Sequence, residues 1–368
     1  MFDVYKNLSK SLNHPTARTG SCDIDLRVTS TASPLFIQKK MVSMNIIVAL
    51  KRLSVIALLL AFSGPSFAQA DYPNKLVRII LPYAPGGTTD MVARAVAQQL
   101  AVKWGQSVIV ENRPGGNGNI GTAEAARATP DGYTLLMATS SHAINASLYK
   151  GLSFNFAKDF TPLSNLAFAP LLLVVNPSLK ANTVKEFAEY VRQNPQKLNY
   201  GSGGVGTAAH LAGELFNSEL GAQMTHVAYK GGTLATNDLV GGQIQLMFAN
   251  LPEAIAQVKG ARLKAIAVTG EARNPQAPEV PTFAESGYPQ INLKSWFGLF
   301  AITGTPPAIV AKLSSDIAAV VAQPEIQNKF RDFGTEPIGN SQTAFQAFLV
   351  SDLPMWAKLV QQSGAKAE

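Results

Sequence analysis

Two glycine-rich turns contain the residue types that bind an anion without a cationic side chain. The first turn is Ala84-Pro85-Gly86-Gly87-Thr88-Thr89, and the second runs from Ser202 to Thr207. Each follows a short apolar segment and precedes apolar residues at helical spacing. We expect Thr88 or Thr89 to cap the helix after the first turn. The first turn of a helix leaves N–H groups without an intrahelical acceptor, at the positive end of the helix dipole. Such a terminus attracts phosphate or carboxylate, although the same pattern also fits a strand-to-helix turn that binds nothing.

The glycine spacing also admits a dinucleotide site. The segments Gly116–Gly121 and Gly201–Gly206 both fit the G-x-G-x-x-G fingerprint, which further requires an acidic residue at the end of the next strand. After the later motif that place is held by Lys230, which suits at best a 2′-phosphate, and after the earlier one no acid is present. We therefore expect no cofactor. An NADP-dependent oxidoreductase that uses Gly201–Gly206 is kept as the alternative function.

Groups suited to catalysis or metal binding are sparse. After residue 70 the histidines are His142, His210 and His226, and the only cysteine is Cys22. His142 follows two serines, but the sequence singles out no third member of a Ser-His-Asp triad. No H-x-x-x-H motif or carboxylate cluster at metal-ligand spacing occurs. The sequence predicts neither an enzyme nor a metal site.

The formal charge of +7 comes mainly from the leader. Residues 1–70 hold eight Lys/Arg and three Asp/Glu, so the rest of the chain is nearly neutral. No cluster of basic residues follows residue 70, and we expect no nucleic-acid partner.

Residues 41–70 have the pattern of a cleavable signal peptide. Lys51 and Arg52 precede an apolar run from Leu53 to Phe62 that is too short to span a bilayer, and Ala68-Gln69-Ala70 fits a cleavage site. We expect export to the periplasm after cleavage near Ala70. Residues 1–40 lack periodicity, and we expect translation to start at Met41 or Met44.

Apolar segments and helical patterns alternate through the rest of the chain, which predicts an α/β fold. Residues 76–139 read β-α-β-α-β, the pattern of a parallel sheet flanked by helices, with a polar loop at 140–142. A strand at 171–175 begins a second unit. The helices after residue 306 lack strands of their own, so we expect them to pack on the first unit. The predicted domains are 71–170 with 293–368, and 171–292.

Seven segments, in order along the chain after residue 70, resemble the Bug family of tripartite tricarboxylate transporter substrate-binding proteins. They are Pro85–Asp90 with Ala93-Arg94, Glu111–Gly116, Asp131–Leu136, Tyr200–Gly203, Tyr229–Gly231, Pro278–Thr282 and Gly304–Pro307. The resemblance implies a two-domain periplasmic binding protein, type II-like, with a mainly parallel sheet in each domain and a hinge between them. It also implies a monomer that binds a small organic acid: a di- or tricarboxylate, an acidic amino acid or an aromatic carboxylate. The solute would be delivered to membrane permease subunits or to a sensor.

In that family, one strand-to-helix loop from each domain grips the carboxylate through N–H and hydroxyl groups. The corresponding residues here are Ala84, Pro85, Gly86, Gly87, Thr88 and Thr89 in the first domain and Ser202, Gly203, Gly204, Gly206 and Thr207 in the second. Further candidates, because they end neighbouring strands, are Ser140, Ser141, Lys230 and Asn250. A carboxylate would repel an anion, so we expect Asp90 to cap its turn rather than to contact the ligand.

Overall fold

A computed structural model describes residues 72–367. The predicted signal peptide, the cleavage site near Ala70 and the start of translation at Met41 or Met44 lie outside the described residues. Within residues 72–367, no helix is both long enough and apolar enough to cross a bilayer.

Ten strands in this range form one hydrogen-bonded sheet. They are β1 (Val77–Leu81), β2 (Val108–Asn112), β3 (Thr134–Thr139), β4 (Phe160–Val175), β5 (Asn199–Ser202), β6 (Thr225–Ala228), β7 (Leu246–Asn250), β8 (Lys264–Val268), β9 (Lys294–Ile302) and β10 (Glu336–Pro337). The spatial order is β2-β1-β3-β9-β4-β7-β5-β6, and β8 and β10 also pair with β4. We call the part built on β1, β2, β3 and β9 lobe I, and the part built on β5 to β8 lobe II. The strands β2-β1-β3 and β6-β5-β7 are parallel, whereas every pair that involves β4 or β9 is antiparallel.

Strand β4 runs through both lobes and changes partners at Pro170. Residues up to Pro170 pair with β9, and residues from Leu171 pair with β7. Because Pro170 has no backbone N–H, the change of partner strand leaves no N–H group unpaired at this residue. The run Leu171–Val175 is completely buried, as expected for a strand covered on both faces.

The helices match most of the sequence expectations. They are α1 (Thr88–Trp104), α2 (Asn119–Ala126), α3 (Ser140–Leu148), α4 (Phe156–Asp159), α5 (Val184–Gln193), α6 (Ala208–Leu220), α7 (Gly232–Val240), α8 (Leu251–Lys259), α9 (Pro307–Val321), α10 (Pro324–Asp332) and α11 (Gln342–Ser363).

Two local predictions were wrong. Residues 140–142 are the first turn of α3 rather than a loop, because Thr139 caps it: the Ser141 N–H donates to Thr139 Oγ1 at 3.2 Å, and the Thr139 N–H donates to His142 Nδ1 at 3.1 Å. The N-cap of α1 is Gly87, not Thr88 or Thr89, and no side chain caps that helix. The Thr88 hydroxyl is used elsewhere, as described below.

The C-terminal helices pack mainly on lobe I and on β4. Helix α9 packs on α1 and β4, and α11 packs on α3 and β4. Helix α11 also reaches α6 in lobe II, a contact that the sequence did not predict. A buried carboxylate ties α11 to strand β9 of lobe I: Asp352 accepts hydrogen bonds from Trp296 Nε1 at 2.7 Å and from Trp356 Nε1 at 3.0 Å.

We predict that Asp352 makes the stability of this junction depend on pH. Burial raises the pKa of Asp352 from 3.8 to about 6, against the lowering effect of the two indole N–H groups. The folded protein therefore holds this proton more tightly than the unfolded chain does. The free energy of unfolding should fall as the pH rises from about 4 to about 6, by about 3 kcal/mol for this group, and then stay level.

The measurement is urea unfolding of the native protein and of Asp352→Asn between pH 4 and pH 7. The variant has one fewer oxygen to accept a hydrogen bond from an indole N–H, and this loss of stability does not depend on pH. The difference between the two stability-against-pH curves therefore isolates the protonation of Asp352. Native protein should lose stability relative to the variant over this range. Parallel curves would contradict the assignment.

Candidate ligand-binding cleft

A cavity of about 190 Å³ lies between the lobes. It sits at the carboxyl ends of the parallel strands of both lobes, where open α/β sheets bind their ligands. Its lining residues are Tyr83, Ala84, Pro85, Gly87, Thr89, Thr139, Ser140, Ser141, Gly203, Thr207, Ala208, Ala209, Lys230, Gly231, Gly232, Thr233, Leu234, Met247, Phe248, Asn250, Glu253, Ser295 and Phe297. A second cavity of about 300 Å³ adjoins it and shares Tyr83, Ala84, Gly203 and Lys230.

Ten of the fifteen residues predicted from the sequence line the first cavity. They are Ala84, Pro85, Gly87, Thr89, Ser140, Ser141, Gly203, Thr207, Lys230 and Asn250. The other five, Gly86, Thr88, Ser202, Gly204 and Gly206, lie outside its lining, and Gly204 lines the adjoining cavity. Both predicted turns thus face one shared cleft, although not with every residue.

Five helices in the described range begin at this cavity. Helices α1 and α3 contribute their first turns from lobe I, and α6, α7 and α8 contribute theirs from lobe II. The sequence predicted two such starts, at α1 and α6. Each start brings the positive end of a helix dipole to the cleft, so the five together favour an anion there.

The amides that are free to bind a ligand include only some of those expected, together with two further ones. Among the described residues, the N–H groups of Thr89, Ala208 and Ala209 have no hydrogen-bond acceptor, and all three residues line the cavity. Several amides of the turns themselves are paired internally. The Gly204 N–H donates to Ser202 Oγ at 3.2 Å, and the Gly206 N–H donates to His210 Nδ1 at 3.2 Å. In the described range the Gly87 and Gly203 amides also have no acceptor, so free donors of the predicted turns remain at Gly87, Thr89 and Gly203, and those of Ala208 and Ala209 follow in the first turn of α6.

Asp90 holds the first turn in place through hydrogen bonds, as expected. Its Oδ2 accepts from the Gly86 N–H at 3.1 Å and from Arg94 Nε at 2.9 Å, and its Oδ1 accepts from Asn112 Nδ2 at 3.0 Å. Burial acts to raise the pKa of Asp90, but these hydrogen bonds hold it below its ordinary value. The carboxylate is satisfied within lobe I and does not line the cavity.

Ser202 fixes the second turn in a similar way. Its hydroxyl donates to the Gly204 carbonyl at 3.0 Å and lies 2.7 Å from His226 Nε2. Although this is a serine–histidine pair, Ser202 is completely buried and does not line the cavity. Burial, and the nearby His210, lower the pKa of His226 to about 3. The pair therefore orders the turn rather than presenting a nucleophile to the cleft.

His142 is likewise part of the framework. It is buried, and Thr122 Oγ1 lies 2.9 Å from its Nε2. Burial lowers its pKa to about 4, so its ring is neutral at pH 7. Within residues 72–367 no three His, Cys, Asp or Glu side chains are grouped so as to hold a metal ion.

The cavity lining contains one cationic and one acidic side chain, Lys230 and Glu253. Lys230 is exposed, whereas Glu253 is half-buried. Glu253 belongs to lobe II, but its Oε1 accepts from Thr88 Oγ1 of lobe I at 3.2 Å and from the Thr88 N–H at 3.5 Å. The carboxylate thus bridges the lobes at the start of α1.

Sequence reasoning missed several residues of the cavity lining, among them Glu253, Tyr83, Thr233 and the two phenylalanines Phe248 and Phe297. An acidic residue in the first turn of a helix is ordinary, so Glu253 gave no signal. The phenylalanines lie in apolar strand segments that resemble core. Of these residues, Tyr83 could most easily have been predicted, since it directly precedes the first glycine-rich turn.

Comparison with known proteins agrees with this architecture. The family model described as "Tripartite tricarboxylate transporter family receptor" matches residues 92–365. The chain is 33% identical to the protein BugT of Bordetella pertussis (strain Tohama I) over 318 residues, which cover 85% of this chain and 98% of BugT.

Solved structures are similar over most of the chain. Periplasmic binding protein BugD superposes with a TM-score of 0.77 and 35% identity, covering 81% of this chain and 100% of BugD. The R. palustris protein Rpa4515, solved with adipate, gives a TM-score of 0.78 and 35% identity, covering 80% and 99% of the two chains.

The fold and the cleft define a solute-binding receptor of the two-domain periplasmic binding protein class. Within that class, the chain belongs to the tripartite tricarboxylate transporter receptor family. The resemblance found in the sequence is therefore confirmed, and the oxidoreductase alternative finds no support among these relatives.

Proposed function

We propose that this receptor captures a small carboxylate-bearing organic acid between its two lobes. The observation that carries the proposal is the convergence of five helix starts on one cavity, with unpaired amides at Thr89, Ala208 and Ala209. The adipate bound by Rpa4515, which shares the fold, supports a carboxylate rather than a phosphate.

The binding energy is of the right size for a receptor. A hydrogen bond to a charged acceptor contributes about 1.5–3 kcal/mol. Four to six of them, after the ordering and association costs are subtracted, leave about −8 kcal/mol, which corresponds to micromolar affinity. Exclusion of water on closure strengthens each bond.

We place the lobe boundaries at 71–170 with 293–368, and at 171–292. The exchange of partners of β4 between Pro170 and Leu171 supports the first boundary, and the start of β9 at Lys294 supports the second. Ligand binding would shift the molecule from an open to a closed arrangement of these lobes.

The proposed role is binding rather than catalysis. The residues named for the site are Ala84, Pro85, Gly87, Thr89, Ser140, Ser141, Gly203, Thr207, Lys230 and Asn250. The family also supports a periplasmic location, reached through the signal peptide at residues 41–70, and delivery of the solute by a monomer to membrane permease subunits.

The test is an equilibrium titration of purified protein, freed of retained ligand, with di- and tricarboxylates, aromatic acids, inorganic phosphate and NADPH. At least one carboxylate should bind at micromolar concentration, because the amides and the cavity fit that group. Calorimetry gives the affinities. Binding of NADPH or phosphate in the absence of any carboxylate binding would refute the proposal.

Gly203→Asp should weaken carboxylate binding at least tenfold. A Cβ at position 203 would lie 3.0 Å from the Gly232 amide nitrogen, so the new carboxylate stands where the anion is held. Gly241→Asp adds the same charge to lobe II outside the cavity lining, where a Cβ meets its nearest atom at 3.5 Å, and should bind normally. Equal affinity of the two folded variants would remove this loop from the site.

Lys230→Met should weaken carboxylate binding only modestly, about fivefold. Lys230 is exposed, so its attraction for a carboxylate is worth about 1 kcal/mol and is screened by salt. Lys197→Met removes an exposed cation of the same lobe outside the lining and serves as the control. Loss of all binding in the Lys230 variant would show that the side chain, not the amides, dominates recognition.

A further inference from the structure

Glu253 places a carboxylate in the cavity whose helix starts otherwise favour an anionic ligand. Its Oε1 receives the N–H and the hydroxyl of Thr88, the first residue of α1. A Cβ built on Gly232, the first residue of α7, would lie 2.0 Å from Oε2. The side chain therefore packs directly against the starts of two helices, one from each lobe.

Asn250 adds a second acceptor beside this carboxylate. Its Nδ2 donates to Glu253 Oε1 at 3.2 Å, which sets the orientation of the amide. Its Oδ1 is buried and has no hydrogen-bond partner among the described residues. Because a buried acceptor without a donor is unfavourable, a donor brought by a ligand would be stabilising here.

The two groups make the cleft chemically asymmetric. Thr89, Ala208, Ala209 and Lys230 offer donors or positive charge, whereas Asn250 and Glu253 offer acceptors or negative charge. A ligand that carries only carboxylates meets repulsion on one side of a cavity of about 190 Å³. Burial also raises the pKa of Glu253, against the hydrogen bonds from Asn250 and Thr88. A positively charged donor from the ligand would therefore stabilise the charged form of this side chain.

We infer that Asn250 and Glu253 select a carboxylic acid that also carries a hydrogen-bond donor, an ammonium or a hydroxyl group, on its carbon chain. The inference rests on the proposed carboxylate receptor function and names the ligand class of the same site. The carboxylate of the ligand meets the helix starts, and its donor group meets Glu253 and Asn250.

Glu253 also has a structural position, since it is the third residue of α8, three residues after the N-cap Asn250. Its replacement could therefore alter the helix as well as the ligand. For this reason the primary test varies the ligand and leaves the protein unchanged.

The experiment is calorimetric titration of purified protein, freed of retained ligand, with succinate, malate and aspartate. These three acids share one carbon skeleton and differ only in a hydrogen, a hydroxyl or an ammonium group at one carbon. Malate and aspartate should each bind at least tenfold more tightly than succinate. Succinate binding as tightly as both would overturn the inference while leaving the receptor function intact, whereas a receptor that binds no carboxylate in the wider panel would defeat the proposed function itself.

Glu253→Gln then assigns the selectivity to this residue. The amide keeps one acceptor oxygen but loses the charge, so the preference for aspartate over succinate should fall at least tenfold and the preference for malate should fall less. Glu219→Gln removes an exposed carboxylate of α6 outside the cavity lining and should leave both preferences unchanged. An unaltered aspartate preference in a Glu253→Gln protein with native thermal stability would exclude Glu253 as the determinant.

Discussion

The convergence of helix starts on one edge of the sheets is the constraint on which the rest of this molecule depends. Parallel strands end on the same side, and each is followed by a helix, so the topology alone gathers the positive ends of several dipoles. Here five helices from two lobes meet at a single cavity. In the proposed receptor function, recognition of the anion comes from the backbone, which leaves the side chains to discriminate among anions. Lys230 and Glu253, with opposite charges in the same cavity, are the clearest instance.

Hydrogen bonds on the side away from the cleft hold in place the turns that present these amides. Asp90 ties Gly86, Arg94 and Asn112 together in lobe I, and Ser202 and His210 order the glycine turn of lobe II. The hydrogen bonds of Asp90, Ser202 and His210 are made to neighbouring protein groups and not to the cleft. A ligand then finds donors that are already oriented, which lowers the conformational entropy lost on binding.

The sequence predicted most of the elements but only part of the site. Helices α1 and α6 were predicted because apolar residues at helical spacing follow the two glycine-rich turns. The turns themselves were found because glycines follow a short apolar segment. The starts of α3, α7 and α8 lie at the cavity because of the order of the strands in the sheet, and no local sequence pattern encodes that order. Only the last five residues of strand β4 were recognised, since Pro162 and Pro170 resemble strand breakers. In the structure, Pro162 lies at an irregularity of the ladder and Pro170 at the exchange of partners. Glu253 was missed because its partner, Thr88, is 165 residues away in the chain.

The single strand that passes through both lobes has a mechanical consequence. Pro170 donates no ladder hydrogen bond, because proline has no N–H, and the β9 pairing of β4 ends where its β7 pairing begins. Helix α11 touches α3 on one side and α6 on the other. A rotation of the lobes about this point of β4, as proposed for ligand binding, would therefore also change how the C-terminal helix packs.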